Sequence, residues 1–421
     1  MMQSHEPSRS YDIVVVGGRC AGASAAIHLA RNGARVLLLE RQRMPSDALS
    51  THVIWPDGVA ALDTLGVLDT VMTSGRIPAP SARRFRLCRG EDSIVTELHP
   101  FYGYDALLCV RRVFLDGALW DKAKATPGVD AFDGTTLNSL HWVDERVAGV
   151  TISGPGFRRT VRCSLVVGAD GRGSTVARAV GAVEEDIVPP GRYWYFAYFS
   201  HAADIRTDDT AELLESDTET ETIASMPTND GLQMVTYGAF NEDFDTFRRD
   251  HRGNFLRRVR QHPWMERMLR DARLATPVYG FAGLRGYYRT GWGPGWVLVG
   301  DAMHQKDPIV ARGINEALLG GEWLGAALAG GITDAGLDEY TTVVRQRTRS
   351  KALNARMLAR PDYEMTEAQA TRLGEALTTP EGLADYLLVE YSDTLTFEDY
   401  FRTPLSLMSP QSNLAHVNRR R

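Results

Sequence analysis

Residues 11–40 read YDIVVVGGRCAGASAAIHLARNGARVLLLE. The apolar run Tyr11–Val16 predicts a buried parallel strand, and Gly17–Gly22 a tight turn. Ala23–Asn32 has helical spacing with small residues on its inner face. Gly33 ends that helix, Ala34–Leu39 returns as a second strand, and Glu40 closes the unit. Strand, Gly-rich turn, helix, strand and terminal acid form a dinucleotide-binding βαβ fingerprint. The turn lets backbone N–H groups approach a pyrophosphate, and the helix N-terminus adds uncapped donors and a positive dipole end. Glu40 stands where an acid accepts hydrogen bonds from a ribose diol. One position departs from the G-x-G-x-x-G spacing, because residue 19 is Arg. Its side chain has to swing away, either to bind phosphate or to line the pocket. A tight turn that binds nothing is the plainer alternative, but it does not call for Glu40.

The rest of the composition narrows the class. A chain of 421 residues buries a large core and leaves room for two domains or one elaborated domain. The net charge of −6 argues against a nucleic-acid or anionic-membrane binder. Cys20, Cys88, Cys109 and Cys163 are far apart and form no C-x-x-C, so neither a metal site nor a disulfide framework is expected. No apolar run is long enough for a membrane anchor, and the polar first ten residues lack a signal core. A cytoplasmic monomer or homodimer is the expectation.

Beyond Glu40, Arg41–Ser50 is a polar loop. His52 stands at the entrance of a helical pattern over Gly58–Val71, where it faces a cofactor or substrate or is simply hydrogen-bonded. Ala82–Leu98 alternates like strands of a second, antiparallel sheet. Arg112 opens a helix, and an Arg there can brace a phosphate. Val129–Leu140 reads as one strand. Leu165–Gly168 is a short apolar strand leading to Asp170 and Gly171, with Asp170 and Ser174 as candidate caps. Arg192–Ser200 is a strand with Tyr193 and Tyr195 on one face and Trp194, Phe196 and Tyr198 on the other. Thr207–Thr220 predicts an exposed loop or short helix, and Thr276–Arg289 a single strand. Trp296–Gly300 is another buried strand, followed by Asp301 and His304. A long helix begins at Gly313. From Tyr340 the chain is mostly helical and charged.

Three motifs now stand together: G17-G-R-C-A-G22 with Glu40, G168-A-D-G-R-G-S174, and G300-D-A-M-H-Q-K-D-P308 followed by G313-I-N315. Their order over residues 10–330 resembles the single-component, FAD-dependent class A monooxygenases of the para-hydroxybenzoate hydroxylase fold, and the related halogenases and geranylgeranyl reductases. The resemblance implies an α/β fold. A Rossmann-like FAD-binding domain would be built from residues 1–75, 104–182 and 288–335. A mostly antiparallel substrate domain would be inserted from 76–103 and 183–287, and a C-terminal helical region would cover 336–421. It implies that Gly17, Gly18 and Gly22 cradle the FAD pyrophosphate, with Arg19 and Arg41 beside it and Glu40 on the ribose. Arg112 would brace the cofactor, Asp170 would contribute through its D-G motif, and Asp301 would bind the ribityl chain. Pro308 would lie near the flavin ring, and Gly313, Ile314 and Asn315 would offer backbone N–H groups to it. His52, Tyr193, Tyr195, Met234, Tyr237 and Phe281 would line a substrate pocket, although core packing explains the same residues.

The implied activity is oxygenation of an aromatic or polyketide-like small molecule, with NAD(P)H as a transient cosubstrate and O2 as oxidant, through a flavin hydroperoxide. No second nucleotide turn is present in the sequence, and the W-x-W-x-I-P motif of halogenases is missing. No catalytic base is assigned; His52 and His304 are candidates by location only. A flavin reductase of the geranylgeranyl-reductase type and an FAD-binding protein without turnover are the alternatives.

Overall fold

A computed structural model describes residues 6–47, 50, 52–203, 211–218, 220–360, 362–392 and 395–402. Its centre is a six-stranded sheet in the order 292–293, 296–298, 165–168, 13–16, 36–40 and 129–133. All neighbours in it are parallel except the short Trp292–Gly293 edge. Ile13–Val16 is wholly buried between Leu165–Gly168 and Val36–Glu40, with Val15 opposite both Val167 and Leu38. Such two-sided burial accounts for strands that are apolar throughout rather than alternating.

Two helices lie side by side on this sheet, Cys20–Arg31 and Gly313–Ala327. Small residues set their separation. A Cβ on Gly321 would come within 2.4 Å of the Ala25 nitrogen. Ser24 Oγ donates to the Leu318 carbonyl across the contact at 2.6 Å. The first helix directly follows Ile13–Val16 and starts at that strand's carboxyl end, the side where open α/β sheets bind ligands; the second follows Trp296–Leu298 only after an excursion through 300–310.

Val129–Leu140 does not run as one strand. It breaks at Gly134, which takes φ +62°. Val129–Asp133 joins the parallel sheet, while Thr136–Val143 pairs in a three-stranded antiparallel sheet with Arg146–Gly154. Thr276–Arg289 also divides: Tyr279–Phe281 pairs with Arg192–Ser200, and Gly286–Arg289 belongs to another sheet. Thr207–Thr220 is corrected as well. Ala211–Asp217 is a strand parallel to Ala82–Arg89, because its pairing partners on both sides outweigh its polar composition.

That strand sits within an eight-stranded sheet drawn from residues 82–97 and 192–281. Arg192–Ser200 and Gln233–Phe240 pair antiparallel within it, beside the edge formed by Arg273–Leu274 and Tyr279–Phe281. The sheet is buried on both faces. Tyr193, Tyr195, Phe199 and Tyr237 pack under the helices His251–Gln261 and Pro263–Leu269, with Phe255 and Met265. Phe196, Tyr198, Met226 and Met234 form a different core with Trp55 and the C-terminal aromatics Tyr386, Tyr391 and Phe397.

The C-terminal part is helical: Asp334–Ala359, Glu367–Ala376, Pro380–Tyr391 and Phe397–Arg402. Buried polar bonds fasten it, since Lys351 Nζ donates to the Ser392 carbonyl at 2.7 Å and Tyr386 to Asn354 Oδ1 at 3.0 Å. The expected helical region over 403–421 lies outside the described residues. No described helix is long and apolar enough to cross a membrane.

Candidate functional site

A cleft of about 590 Å³ opens along the carboxyl edge of the six-stranded sheet and runs to the eight-stranded one. Its lining unites the three sequence motifs. Gly17, Arg19, Glu40 and Arg41 come from the first unit, and Arg112 from the helix Arg112–Ala125. Asp170 and Gly171 follow the adjacent strand. Asp301, His304, Pro308, Gly313 and Ile314 come from the last motif, and Phe281 from the eight-stranded sheet.

The glycine turn is fixed by close backbone approach. Gly17 takes φ +105°, and a Cβ there would stand 2.4 Å from the Ala169 carbonyl oxygen. A Cβ on Gly22 would stand 1.7 Å from the Gly17 oxygen. Gly18 and Gly22 therefore lie behind the cleft wall, and serve it by letting the turn close. The helix that begins at Cys20 has no side-chain cap, so its first N–H groups remain available at the cleft. The Glu40 carboxylate is buried and accepts from the backbone N–H of Gly18 at 2.9 Å and of Gln42 at 3.0 Å. These bonds aim it at the turn and leave lone pairs for a further donor.

Arg19 swings out of the turn. Its guanidinium donates to Asp116 Oδ2 at 2.7 Å, to Gln42 Oε1 at 2.7 Å and to Ser46 Oγ at 2.8 Å. Asp116 is fully buried and also takes three hydrogen bonds from Arg112 at 2.9–3.0 Å. One carboxylate thus orders both cations along the wall. Burial beside it pushes the Cys20 thiol up to about 12, which leaves it neutral.

Asp170 is spent on its own helix. It accepts from Ser174 Oγ at 2.5 Å, from Thr175 N–H at 2.6 Å and from Val176 N–H at 3.3 Å. Asp301 differs. It lies in the turn Gly300–Ala302 after the strand Trp296–Leu298, and its side chain opens to the cleft. The cleft is deep enough that surrounding protein still desolvates it. That desolvation raises its carboxyl above the usual range, against the opposing pull of His304 and Lys306.

The helix Gly313–Ala327 likewise lacks a side-chain cap, and its first two residues face the cleft. Asn315 does not line the cleft. It clamps the Trp55–Asp57 segment, donating to Asp57 Oδ1 at 2.5 Å and accepting from the Trp55 N–H at 3.3 Å. Asp57 pairs with the buried Arg312, a cleft residue. Glu316 binds His304 at 2.9 Å and Lys306; burial pushes its carboxyl up, but these two partners hold it well below the ordinary carboxylate range.

Several expected pocket residues stand elsewhere. Tyr193, Tyr195 and Tyr237 belong to the sheet face covered by helices, where Tyr193 donates to Asp243 at 2.8 Å and Tyr237 to Glu221 at 2.9 Å. Met234 is on the cleft-side face but is buried in its core. His52 is fully buried, bonds the Tyr198 hydroxyl, and is held neutral by burial with Arg112 and Arg111 nearby. Trp194, Phe196 and Thr236 line the cleft instead, with Phe281. The strand alternation separated the two faces correctly, but choosing between them needed the positions of helices 251–269. Asp116 and Asp307 were missed. The Arg112-x-x-x-Asp116 spacing, one helical turn, was the available signal for the first.

A βαβ nucleotide turn, a second helix N-terminus at the same cleft and an inserted aromatic sheet define an FAD-dependent oxidoreductase architecture. The chain belongs to the FAD-binding-domain family, whose profile matches residues 10–355. It is similar to 6-methylpretetramide 4-monooxygenase of Streptomyces rimosus, at 37% identity over 40% of this chain and 40% of that protein. The match thus spans about two fifths of that relative's length. It also resembles a digeranylgeranylglycerophospholipid reductase of Methanosarcina acetivorans, at 26% identity over 80% of each chain. Among solved structures, a flavin-dependent brominase superposes with a TM-score of 0.77 at 17% identity, covering 96% of this chain and 100% of its own. That likeness is one of fold.

Proposed function

We propose that the chain is an FAD-dependent monooxygenase that uses NAD(P)H and O2 to oxygenate an aromatic or polyketide-like small molecule. The observation that carries this reading is the single cleft in which the Gly17 turn, Asp301 and the Gly313 helix start meet Trp194, Phe196 and Phe281. The residues fit FAD: the turn tolerates no Cβ, two helix N-termini offer free donors, and Asp301 is an open acceptor.

In this reading Gly17, Gly18 and Gly22 shape the pyrophosphate cradle, and Glu40 holds the adenosine ribose. Arg19, Arg41 and Arg112 neutralise phosphate charge. Asp301 accepts from ribityl hydroxyls, while Pro308, Gly313 and Ile314 meet the flavin ring. Asn315 and Asp170 position backbone rather than touch cofactor with their side chains. FAD, held by these residues, would supply the redox chemistry that links NAD(P)H to O2. The chain orients the substrate and excludes water. The eight-stranded sheet would be the substrate domain, with boundaries near residues 76–103 and 183–287, and the helices after 336 would close its cleft-side face. A name that places a monooxygenase on a pretetramide ring supports the polyketide-like substrate class.

The test is a substrate screen that follows NAD(P)H oxidation and product mass. A gain of one oxygen supports the proposal; reduction of a double bond without O2 supports the second reading, a reductase. The coverage of the reductase relatives keeps that reading in play. An FAD-binding protein without turnover loses the feature that suggested it, because the Arg19 guanidinium is drawn out of the turn by Asp116.

A further inference from the structure

Two buried carboxylates of the cleft, Glu316 and Asp307, each keep one oxygen without a partner among the described residues; Glu316 is already paired with His304 and Lys306, and Asp307 is the one bonded to an aromatic residue of the cleft, Trp194. It precedes Pro308 and is 7% exposed. Its Oδ1 is fully engaged, accepting from the indole N–H of Trp194 at 3.2 Å and from the Ile309 N–H at 3.0 Å. Its Oδ2 is buried and has no hydrogen-bond partner among the described residues. A buried carboxylate oxygen left unpaired is costly, so it calls for a donor that the described residues do not supply. Trp194, Phe196, Thr236 and Phe281 line the same cleft, and they provide flat apolar surface around one polar point. Arg112, Lys306 and Arg312 line it too. Each of these cations is already paired, Arg112 with Asp116, Lys306 with Glu316 and Arg312 with Asp57, so the flat apolar surround rather than a local field favours a neutral hydroxyl donor.

We infer that Asp307 Oδ2 is the polar recognition point for a ring hydroxyl of the aromatic substrate, with Trp194 and Ile309 fixing the carboxyl so that this oxygen stays free. This rests on the reading of the cleft as cofactor and substrate site, and it narrows the substrate to a phenolic compound. The pairing adds no chemistry of its own: the hydroxyl donates and the carboxyl oxygen accepts. Asp307 is a binding residue here.

The probes are 1-naphthol and its methyl ether, 1-methoxynaphthalene, titrated calorimetrically into the purified protein with and without added FAD, at a pH above about 8 so that the Asp307 carboxyl, which burial pushes up to about 7, is ionised and accepts. Wild type should prefer the naphthol by about tenfold, the loss expected when a hydrogen bond to a charged or polarised group is removed. Asp307→Asn keeps an oxygen for Trp194 and Ile309 and places a donor where Oδ2 was, so the preference should collapse and the ether should gain. Asp307→Ala should abolish the preference while still binding the ether. Thermal melting of each variant separates these outcomes from misfolding. A wild type that does not discriminate, or a preference kept in both folded variants, overturns the assignment. A protein that discriminates the probes but takes up no FAD overturns the functional reading and leaves the Asp307 assignment standing.

Discussion

The two walls of the cleft spend their carboxylates differently. On the wall built from Arg19, Arg112, Asp116 and Asp170, both aspartates are saturated by the protein: Asp116 by two guanidinia, Asp170 by a hydroxyl and two backbone N–H groups. On the wall from Asp301 to Pro308, Asp301 opens to the cleft and Asp307 keeps one oxygen free. Asp170 and Asp301 even follow adjacent strands of one sheet, Leu165–Gly168 and Trp296–Leu298. The same local pattern, an apolar strand ending in Gly and then Asp, therefore yields a helix cap in one place and an open acceptor in the other. What separates them is the next few residues: Ser174 and the helix Thr175–Ala179 bring donors to Asp170, and nothing equivalent follows Asp301.

The largest effect that would sharpen this contrast is at Asp116. Asp116→Ala leaves Arg112 and Arg19 without their shared partner, and removing one side of a buried ion pair costs about 3–5 kcal/mol. Denaturant unfolding should show it; a cost under about 1 kcal/mol would mean that this wall is not held by Asp116.

Next is the pH response of the other wall. Burial pushes the Asp307 carboxyl up to about 7, against the pull of Arg192, the Trp194 indole and the Ile309 N–H. Asp186, Lys306 and Arg356 line a small cavity that it also borders. A raised folded-state value means that the folded chain keeps a proton the unfolded chain has released. Its contribution is present at acidic pH and lost as pH rises from about 4 to about 7. Wild type should lose up to about 4 kcal/mol relative to Asp307→Asn across that window, and nothing further above it. Unfolding measured at several pH values checks this, and parallel profiles for the two proteins would contradict it.

Smaller changes separate the paired aspartates. Asp301→Ala should weaken FAD binding by about 1.5–3 kcal/mol, the worth of a charge-assisted hydrogen bond, with little change in melting. Asp170→Ala should do the reverse, costing about 0.5–2 kcal/mol of stability through the lost cap while FAD affinity changes little. Equal effects of the two substitutions on FAD would erase the distinction between the walls.

Much of this was legible in the sequence, for local reasons. The strand, the glycines and the helix of residues 11–40 are dictated by burial on both faces and by backbone approach, and both leave marks within thirty residues. The strand before Asp301 and the helix after Gly313 are readable in the same way. Long-range choices were not. Arg19 finds Asp116 across 97 residues. The alternation in Arg192–Ser200 shows two faces, but only the helices packed on Tyr193 and Tyr195 reveal that the cleft belongs to Trp194 and Phe196. Ala211–Asp217 looks like a loop until its two neighbouring strands supply hydrogen bonds.

In the proposed reading the cleft is an FAD site whose working acid is Asp301. Titrating FAD into the purified, flavin-free protein tests it most directly, read by the change in visible flavin absorbance. One FAD per chain is expected, held far less tightly by Asp301→Ala and almost as tightly by Asp170→Ala as by wild type. Failure of the folded wild type to take up FAD would contradict it, as would an Asp301→Ala protein that binds FAD as tightly as wild type.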